Sequence, residues 1–289
     1  MSSVMKEQGT SVEFWSDTHM PYVETRRACA SRACYKAHSH PTFSIGAVDQ
    51  GNSIFTSHFG GTQQINAGTL VLVPAHVEHA CNPVPDQAWS YQMMHLDAHW
   101  LNQLLQETAH KDTYQDIPQF KPVLYKQPKM YHGFSCLNSQ LFDTALSYWE
   151  KEQSLITTLT ELLFPYIQLE LLAPQHYAQQ EFKQLLSMIQ DADVFLSLEQ
   201  MSQEVQLSRY AIIRLFKSSL GMTPHAYQLN HKINDARTFL KQDMDIAQLS
   251  YTLGFSDQSH FHRVFKSLTG TTPKLYQKQH RAILSNSLS

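Results

Sequence analysis

Cysteine is scarce in this 289-residue chain, and the four present, Cys29, Cys34, Cys81 and Cys136, form no C-x-x-C pair. Neither a disulfide framework nor a zinc knuckle is indicated, which leaves reduced, partly buried thiols as the plain reading. No run of 18 or more apolar residues occurs, so no transmembrane helix is expected. The opening MSSVMKEQGTSVEFW lacks the charged-then-apolar pattern of a secretory signal, and a cytoplasmic location away from membranes is expected. Charge is sparse too: charged residues make up 16% and the net charge is −3.

What is present suits a globular chain long enough for two ordinary domains, with 42% hydrophobic residues. The small net charge hides an asymmetry. Residues 181–289 hold 12 Lys and Arg against 9 Asp and Glu, whereas residues 1–180 hold 10 against 16. A modest basic bias in the last third suits a polyanionic partner there.

Residues 42–97 read as short strands, "TFSIGAV", "SIFTSHF", "GTLVLVP" and "AWSYQMMHLD", punctuated by Gly, Asn and Pro. That spacing predicts an antiparallel barrel or sandwich. After residue 98 the period changes to helical. One apolar helix is expected over 134–149 (Phe134, Leu137, Leu141, Phe142, Ala145, Tyr148, Trp149). A second is expected over 154–172 (Leu155, Ile156, Leu159, Leu162, Leu163, Tyr166, Ile167), kinked or ended by Pro165. The stretch 173–180 (APQHYAQQ) is the candidate linker, and short helices with turns follow it. The fold class is therefore α+β and multidomain, with a first domain over 1–175 and an all-α domain over 181–283.

Two stretches of that last domain nearly repeat: "LFKSSLGMTPHAY" (215–227) and "VFKSLTGTTPKLY" (264–276). The match extends backward to "SLEQMSQEVQLS" (197–208) and "DIAQLSYTLGFS" (245–256), with one extra residue in the second copy near Asp257. Ser197 with Gln200 fits a capping box, and Ser208 can cap the next helix. Gly221 and Gly270 stand where a helix ends in a left-handed residue, and each Thr-Pro then restarts a helix with Pro at its first position. Helix, tight turn, helix is the helix-turn-helix arrangement. Two copies suit two adjacent major grooves on one face of DNA, about 34 Å apart.

Residues 181–283 closely resemble the tandem helix-turn-helix domain of the AraC/XylS family of bacterial transcription regulators, above all in "AQLSYTLGFSDQSHFHRVFKSLTGTTPKLYQ" (247–277). The first unit diverges more, keeping the Ser, Arg, Phe and Lys positions of "SRYAIIRLFK" (208–217). Helix faces allot the roles. With Ile213, Phe216 and either Ala211 or Ile212 inward, Arg209, Tyr210, Arg214 and Lys217 face out. With Phe261, Val264 and Phe265 inward, Gln258, Ser259, His260, His262, Arg263 and Lys266 remain. The resemblance implies that these outward positions enter the major groove. There Arg suits guanine and Gln suits adenine, while Lys217 and Lys266, further along, suit phosphate. The alternative for Arg214 and Arg263 is an ion pair inside the domain, and for His260 and His262 plain solvation.

In the first domain, "HSH" (38–40) and "GTLVLVPAHVEHACN" (68–82) resemble the two halves of the cupin barrel motif, with Gly68, Pro74 and His79 at its positions. In cupin enzymes such histidines hold a metal, because residues i and i+2 of a strand face one interior and three His ligands leave positions open for substrate. Two departures weigh against that here. Positions 44–45 are Ser-Ile where a Glu is usual, and His76 replaces a usual glycine. His38, His40 and His79 are therefore read as lining an effector pocket away from the DNA face, with metal ligation and plain packing as alternatives; no metal and no cofactor are expected. Tyr91, Met93 and His95 alternate on another strand and are candidates for the same interior. The resemblance further implies that the two apolar helices carry a dimer contact.

The expected protein is a non-enzymatic, cytoplasmic, sequence-specific regulator, an activator by preference. Its expected partners are double-stranded promoter or operator DNA, a small-molecule effector, RNA polymerase and a second copy of itself. The other readings are a metal-dependent cupin enzyme fused to a DNA-binding module, and a dimeric regulator that needs no ligand.

Overall fold

The computed structural model describes residues 11–109, 122–164 and 180–286. Most of the linker expected at 173–180, and Pro165, lie outside the described residues.

The N-terminal domain is built on two antiparallel sheets. The larger has the order β1-β2-β8-β3-β6-β9, from β1 (Ser11–Asp17), β2 (Met20–Ser31), β3 (Phe43–Gln50), β6 (Leu70–Val73), β8 (Trp89–Leu96) and β9 (Val123–Tyr125). The smaller has the order β5-β4-β7, from β4 (Asn52–Ser57), β5 (Gly61–Asn66) and β7 (His79–Pro83). Ala28, Val48, Val71, Val73 and Tyr91 of the large sheet share one core with Phe55 and Ile65 of the small one. The opposite face of the large sheet, with Ile45, Leu72, Met94 and Leu96, packs under α1 (Ala98–Ala109), α2 (Pro128–Phe142) and α3 (Tyr148–Thr157). The central strands are thus covered on both sides, which is why β3 and β6 are near-continuous apolar runs rather than alternating ones.

The helix expected over 134–149 is two helices. It stops at Phe142, where Asp143 turns extended and its side chain accepts the Ala145 N–H at 2.9 Å. Ser147 then starts α3 with a reciprocal capping box to Glu150. Trp149, expected on the apolar face, is 65% exposed. From Thr158 to Leu163 the chain continues as a π-helical turn, and the rest of the helix expected to 172 lies outside the described residues. Leu155, Leu159 and Leu163 are buried in the chain's own core, so packing on the sheet claims the face that the resemblance would have given to a dimer. Strands β1 and β2 had no counterpart in the sequence reading. Charged residues stud β2 (Glu24, Arg26, Arg27) and blur its alternation.

The C-terminal domain has two separate cores. Phe182, Leu185, Met201, Ile212 and Phe216 form the first, from α4 (Gln180–Asp191), α5 (Leu198–Val205) and α6 (Arg209–Leu220). Leu249, Phe255, Phe261, Phe265 and Tyr276 centre the second, from α8 (Ile246–Thr252), α9 (Gln258–Thr269) and α10 (Pro273–Asn286). The 18-residue α7 (Pro224–Lys241) joins them. The expected caps form: Ser208 accepts from Ala211 N–H, Thr223 accepts from Ala226 N–H, and Gly221 and Gly270 are left-handed at φ 76° and 75°. In α6 it is Ile212 that enters the core, while the expected Ile213 is only half-buried. The i, i+4 pair Ile212–Phe216 points more squarely inward than Ile213 can.

Because the cores are separate, Phe216→Ala and Phe265→Ala should each cost about 3–5 kcal/mol within its own unit. Amide exchange should rise over 180–220 in the first variant and over 246–286 in the second. Loss of protection in both units from either change would show one shared core instead.

Candidate functional site

Two surfaces stand out. The first is the outward rows of α6 and α9. Arg209, Tyr210, Arg214 and Lys217 are exposed along α6, and Gln258, Ser259, Arg263 and Lys266 along α9. Among the described residues neither Arg214 nor Arg263 has an ion-pair partner; Arg214 lies over the Tyr210 ring at 5.9 Å, and Arg209 reaches Glu199 at 3.8 Å. The two histidines are less free than expected. His260 is half-buried, its ring edge-on to Phe255 and its Nδ1 3.2 Å from Ser256 Oγ. His262 is also half-buried, packed on the Phe261 ring, with Nε2 enclosed and unpartnered. Both lean toward the hydrophobic side of α9, because Phe255 and Phe261 offer ring edges that solvent does not.

The second surface is the interior of the barrel. His38, His40, His79, Tyr91, Met93 and His95 line one cavity, together with Arg26 and Tyr35. Strand pairing explains the convergence. Across β2 and β8, Glu24 lies opposite His95, Arg26 opposite Met93 and Ala28 opposite Tyr91, so one face of each strand looks inward. His38 and His79 exchange both backbone hydrogen bonds, at 3.0 and 2.9 Å, which pins two segments 41 residues apart. His76, in the usual glycine position, takes φ 64°, the left-handed conformation that glycine adopts without strain.

The cavity opens directly against the DNA-binding half, on its α7 side and not on the outward rows of α6 and α9. Helix α7 covers the His38–His40 segment with residues at helical spacing. Asn230 accepts the Ser39 N–H at 3.0 Å and donates to Ser39 Oγ at 3.1 Å, and Asn234 donates to Ser39 O at 3.3 Å. Arg237 donates to His40 Nδ1 at 3.2 Å and to Glu24 Oε1 at 2.5 Å, and Lys241 binds the other oxygen of Glu24. An adjoining small cavity of about 30 Å³ is lined by Glu24, Arg26, His38, His40 and His95 from the barrel and Arg237, Thr269, Tyr276 and His280 from the helices. Phe14 of β1 seals one side against Tyr276.

The barrel also holds the C-terminal ends of both outward helices. Arg26, flanked by the Tyr35 and Tyr91 rings at 5.5 and 5.4 Å, donates to Thr269 O at 3.1 Å, and Lys36 N–H donates to Ser267 O at 3.0 Å. His58 Nε2 donates to Ser218 O at 3.3 Å. A cation or N–H at a helix C-terminus satisfies otherwise orphaned carbonyls and suits the dipole. Tyr35 packs on Gly270, and His58 with Glu78 on Gly221, so closely that a side chain at either glycine would collide.

Burial sets the electrostatics. It pushes His38 down to about 3, helped by His79, and lowers His40, His79 and His95, so the cluster is neutral at neutral pH. Burial opposes the Glu24 charge as well, but Lys241 and Arg237 hold its carboxyl well below the usual range. The guanidinium of Arg237 is likewise held charged against its burial by Tyr276 and Glu24.

Sequence reasoning missed Glu24, Arg26, Tyr35, Arg237, Tyr276 and His280. Half of the signal was present: Asn230, Asn234, Arg237 and Lys241 form a polar stripe along one face of α7. Its partner, Glu24, lies 213 residues from Arg237.

Comparison with known proteins follows the same division. Residues 20–164 match the AraC-like ligand binding domain family, and residues 201–279 match a helix-turn-helix domain family. The HTH-type transcriptional regulator YbfI of Bacillus subtilis strain 168 is 23% identical over 245 residues, covering 84% of this chain and 87% of YbfI. Apo ToxT of Vibrio cholerae strain SCE256, in a point-substituted form, shares the fold at a TM-score of 0.57 and 14% identity, over 94% of this chain and 98% of ToxT. Wild-type ToxT of that strain with an unsaturated fatty acid bound aligns at 0.51 and 15% identity, over 95% and 98%.

Removing Glu24 should undo the contact between the halves. Glu24→Gln leaves Arg237 buried without a counter-charge, a change of about 3–5 kcal/mol. Amide exchange along α7 should rise and small-angle scattering should report a larger radius of gyration. Gly270→Ala, strained at its φ and pushed into Tyr35, should do the same. A compact protein with unchanged α7 protection in both variants would place the docking energy elsewhere.

Proposed function

The chain belongs to the AraC family of transcription regulators, and from that premise we propose a division of labour between its two surfaces. The rows on α6 and α9 read an operator in two successive major grooves, and the barrel cavity senses a small effector. The reading is carried by one observation: the cavity holding the candidate effector residues is closed by α7, the helix that joins the two helix-turn-helix units. A ligand that favours one docking of α7 over another shifts how the two reading helices are presented, and a ligand indifferent to docking shifts nothing.

The barrel contacts the C-terminal ends of α6 and α9, which leaves their N-terminal turns clear for DNA. On this reading Arg214 and Arg263 contact bases with two donors each, Gln258 suits adenine, and Lys217 and Lys266 meet phosphate. Arg209, Tyr210 and Ser259 flank these contacts; His260 and His262, half-turned inward, contribute least. We read the barrel as a sensor and not a catalyst, since its cavity is lined jointly by barrel residues and by residues of the DNA-binding half. The protein would act in the cytoplasm on promoter DNA with RNA polymerase, as a homodimer for which the exposed Trp149 on α3 is the candidate contact. No helix among the described residues is long and apolar enough to cross a membrane.

Footprinting and salt titration test the DNA half. Arg214→Ala and Arg263→Ala should each cost about 1–3 kcal/mol and relax base preference at one position, in different half-sites. Lys266→Ala should weaken binding evenly over sequences and reduce the salt slope by about one. If both arginine variants changed the same base position, or protection spanned one groove, the tandem reading would fail.

A further inference from the structure

The two helix-turn-helix units have separate cores, so no common interior sets the angle between α6 and α9. Helix α7 joins them; beside it the Phe195 ring stands edge-on to Phe255 at 5.5 Å, and the Val194 backbone lies against Gly254. Apolar contacts of this kind hold the units together without a fixed direction. Reading two half-sites is more demanding. The half-sites lie about 34 Å apart, and one base pair more or less turns one of them by roughly 34° about the duplex axis.

The barrel spans both units through one strand. Just before β7, Glu78 accepts the His58 N–H at 3.0 Å, and His58 Nε2 donates to Ser218 O in the last turn of α6 at 3.3 Å. A carbonyl only accepts, so that nitrogen carries the ring proton. Within β7, Asn82 accepts the Tyr35 N–H at 2.5 Å and donates to Tyr35 O at 3.0 Å. Tyr35 lies against Gly270, the left-handed stop of α9, and Lys36 beside it donates its N–H to Ser267 O at 3.0 Å. Each helix is thus held twice at its end, by a hydrogen bond to a last-turn carbonyl and by packing on the glycine that terminates it. A strand rises about 3.3 Å per residue, so Glu78 and Asn82 stand roughly 13 Å apart. The strand between them is stiffened by its pairing with β4, from Ser57↔His79 to Ser53↔Pro83. Helices α6 and α9 have 12 residues each. That is about 18 Å of helix, so a small tilt at the held end displaces the turns that face DNA at the other.

We propose that β7, acting through His58 on α6 and through Asn82 and Tyr35 on α9, is a spacer that fixes the separation and tilt of the two reading helices and so selects the distance between operator half-sites. These are positioning residues, which set spacing without touching a base. The inference rests on the reading that α6 and α9 each enter a major groove. It also requires the barrel to stay docked on DNA, which the clear N-terminal turns of both helices permit.

The test lets the full-length wild type select its operator from a random duplex pool, with footprinting to locate the two half-sites. Affinity is then measured on duplexes whose intervening segment is one base pair shorter or longer. The wild type should lose about tenfold on each, because a fixed pair of helices must twist the DNA to fit. In His58→Ala and in Asn82→Ala that ratio should shrink to about threefold, since a loosened pair no longer discriminates against the wrong spacing. His58→Gln, whose amide can still donate to Ser218 O, should keep the wild-type ratio. A variant that is merely less stable loses affinity equally on all three duplexes, and an unchanged ratio in the alanine variants overturns the spacer. His58 is exposed, so His58→Ala decides the matter even if Asn82→Ala does not fold. Wild-type binding indifferent to spacing, with both grooves protected, overturns the spacer as well. Protection of a single groove instead removes the tandem reading, and the spacer falls with it.

Discussion

Glu24 sits between Arg237 and Lys241 with little access to water, and the relation between the two halves of the molecule turns on that carboxylate. A lone carboxylate or a lone guanidinium at such a depth is strongly unfavourable; together they satisfy one another only while α7 stays docked. The pair does not need to contribute much net stability to be decisive. It makes the undocked state costly unless both groups reach water together, so docking behaves as a two-position choice. The stripe Asn230, Asn234, Arg237 and Lys241 extends this contact along the whole segment that carries His38 and His40.

Helix α7 is also the only described helix packed on both helix-turn-helix cores, through Tyr227 on the first and Ile233, Ala236 and Leu240 on the second. Whatever holds or releases it acts on both helix-turn-helix units at once. The barrel reinforces this from the far ends, with His58 at the last turn of α6 and Arg26 and Lys36 at the last turn of α9. Close packing on Gly221 and Gly270 leaves no room for gradual adjustment. Packed contacts of this kind move between discrete arrangements rather than bending.

The cavity gains its character from the same constraint. Four histidines share a space from which water is largely excluded, and their neutral state follows from burial and from one another. Arg26 brings a positive charge into that space, steadied by two tyrosine rings, and spends its donor on a carbonyl of the opposite half. The lining of the cavity and the interdomain contact therefore use the same side chains.

Much of this architecture was legible in the sequence, and the legible part is local. Capping residues Ser197, Ser208 and Thr223, and glycines 221 and 270, act within a turn of where they stand, so the repeated helix-turn-helix units could be read directly. The alternation of Tyr91, Met93 and His95 likewise named residues that share one interior, since period two is a property of the strand itself, whereas His38 and His40 reach that interior from an irregular segment between β2 and β3 pinned by one isolated bridge. The capping box Ser147–Glu150 was equally local, and it would have divided the helix drawn over 134–149. Three matters were left to the tertiary structure: that Leu159 and Leu163 serve the chain's own sheet, that β2 turns Glu24 and Arg26 inward, and that α7 caps the histidines. Each depends on a partner far along the chain. A charge or an apolar stripe announces that it needs a complement, and only the packed fold decides which distant surface supplies it.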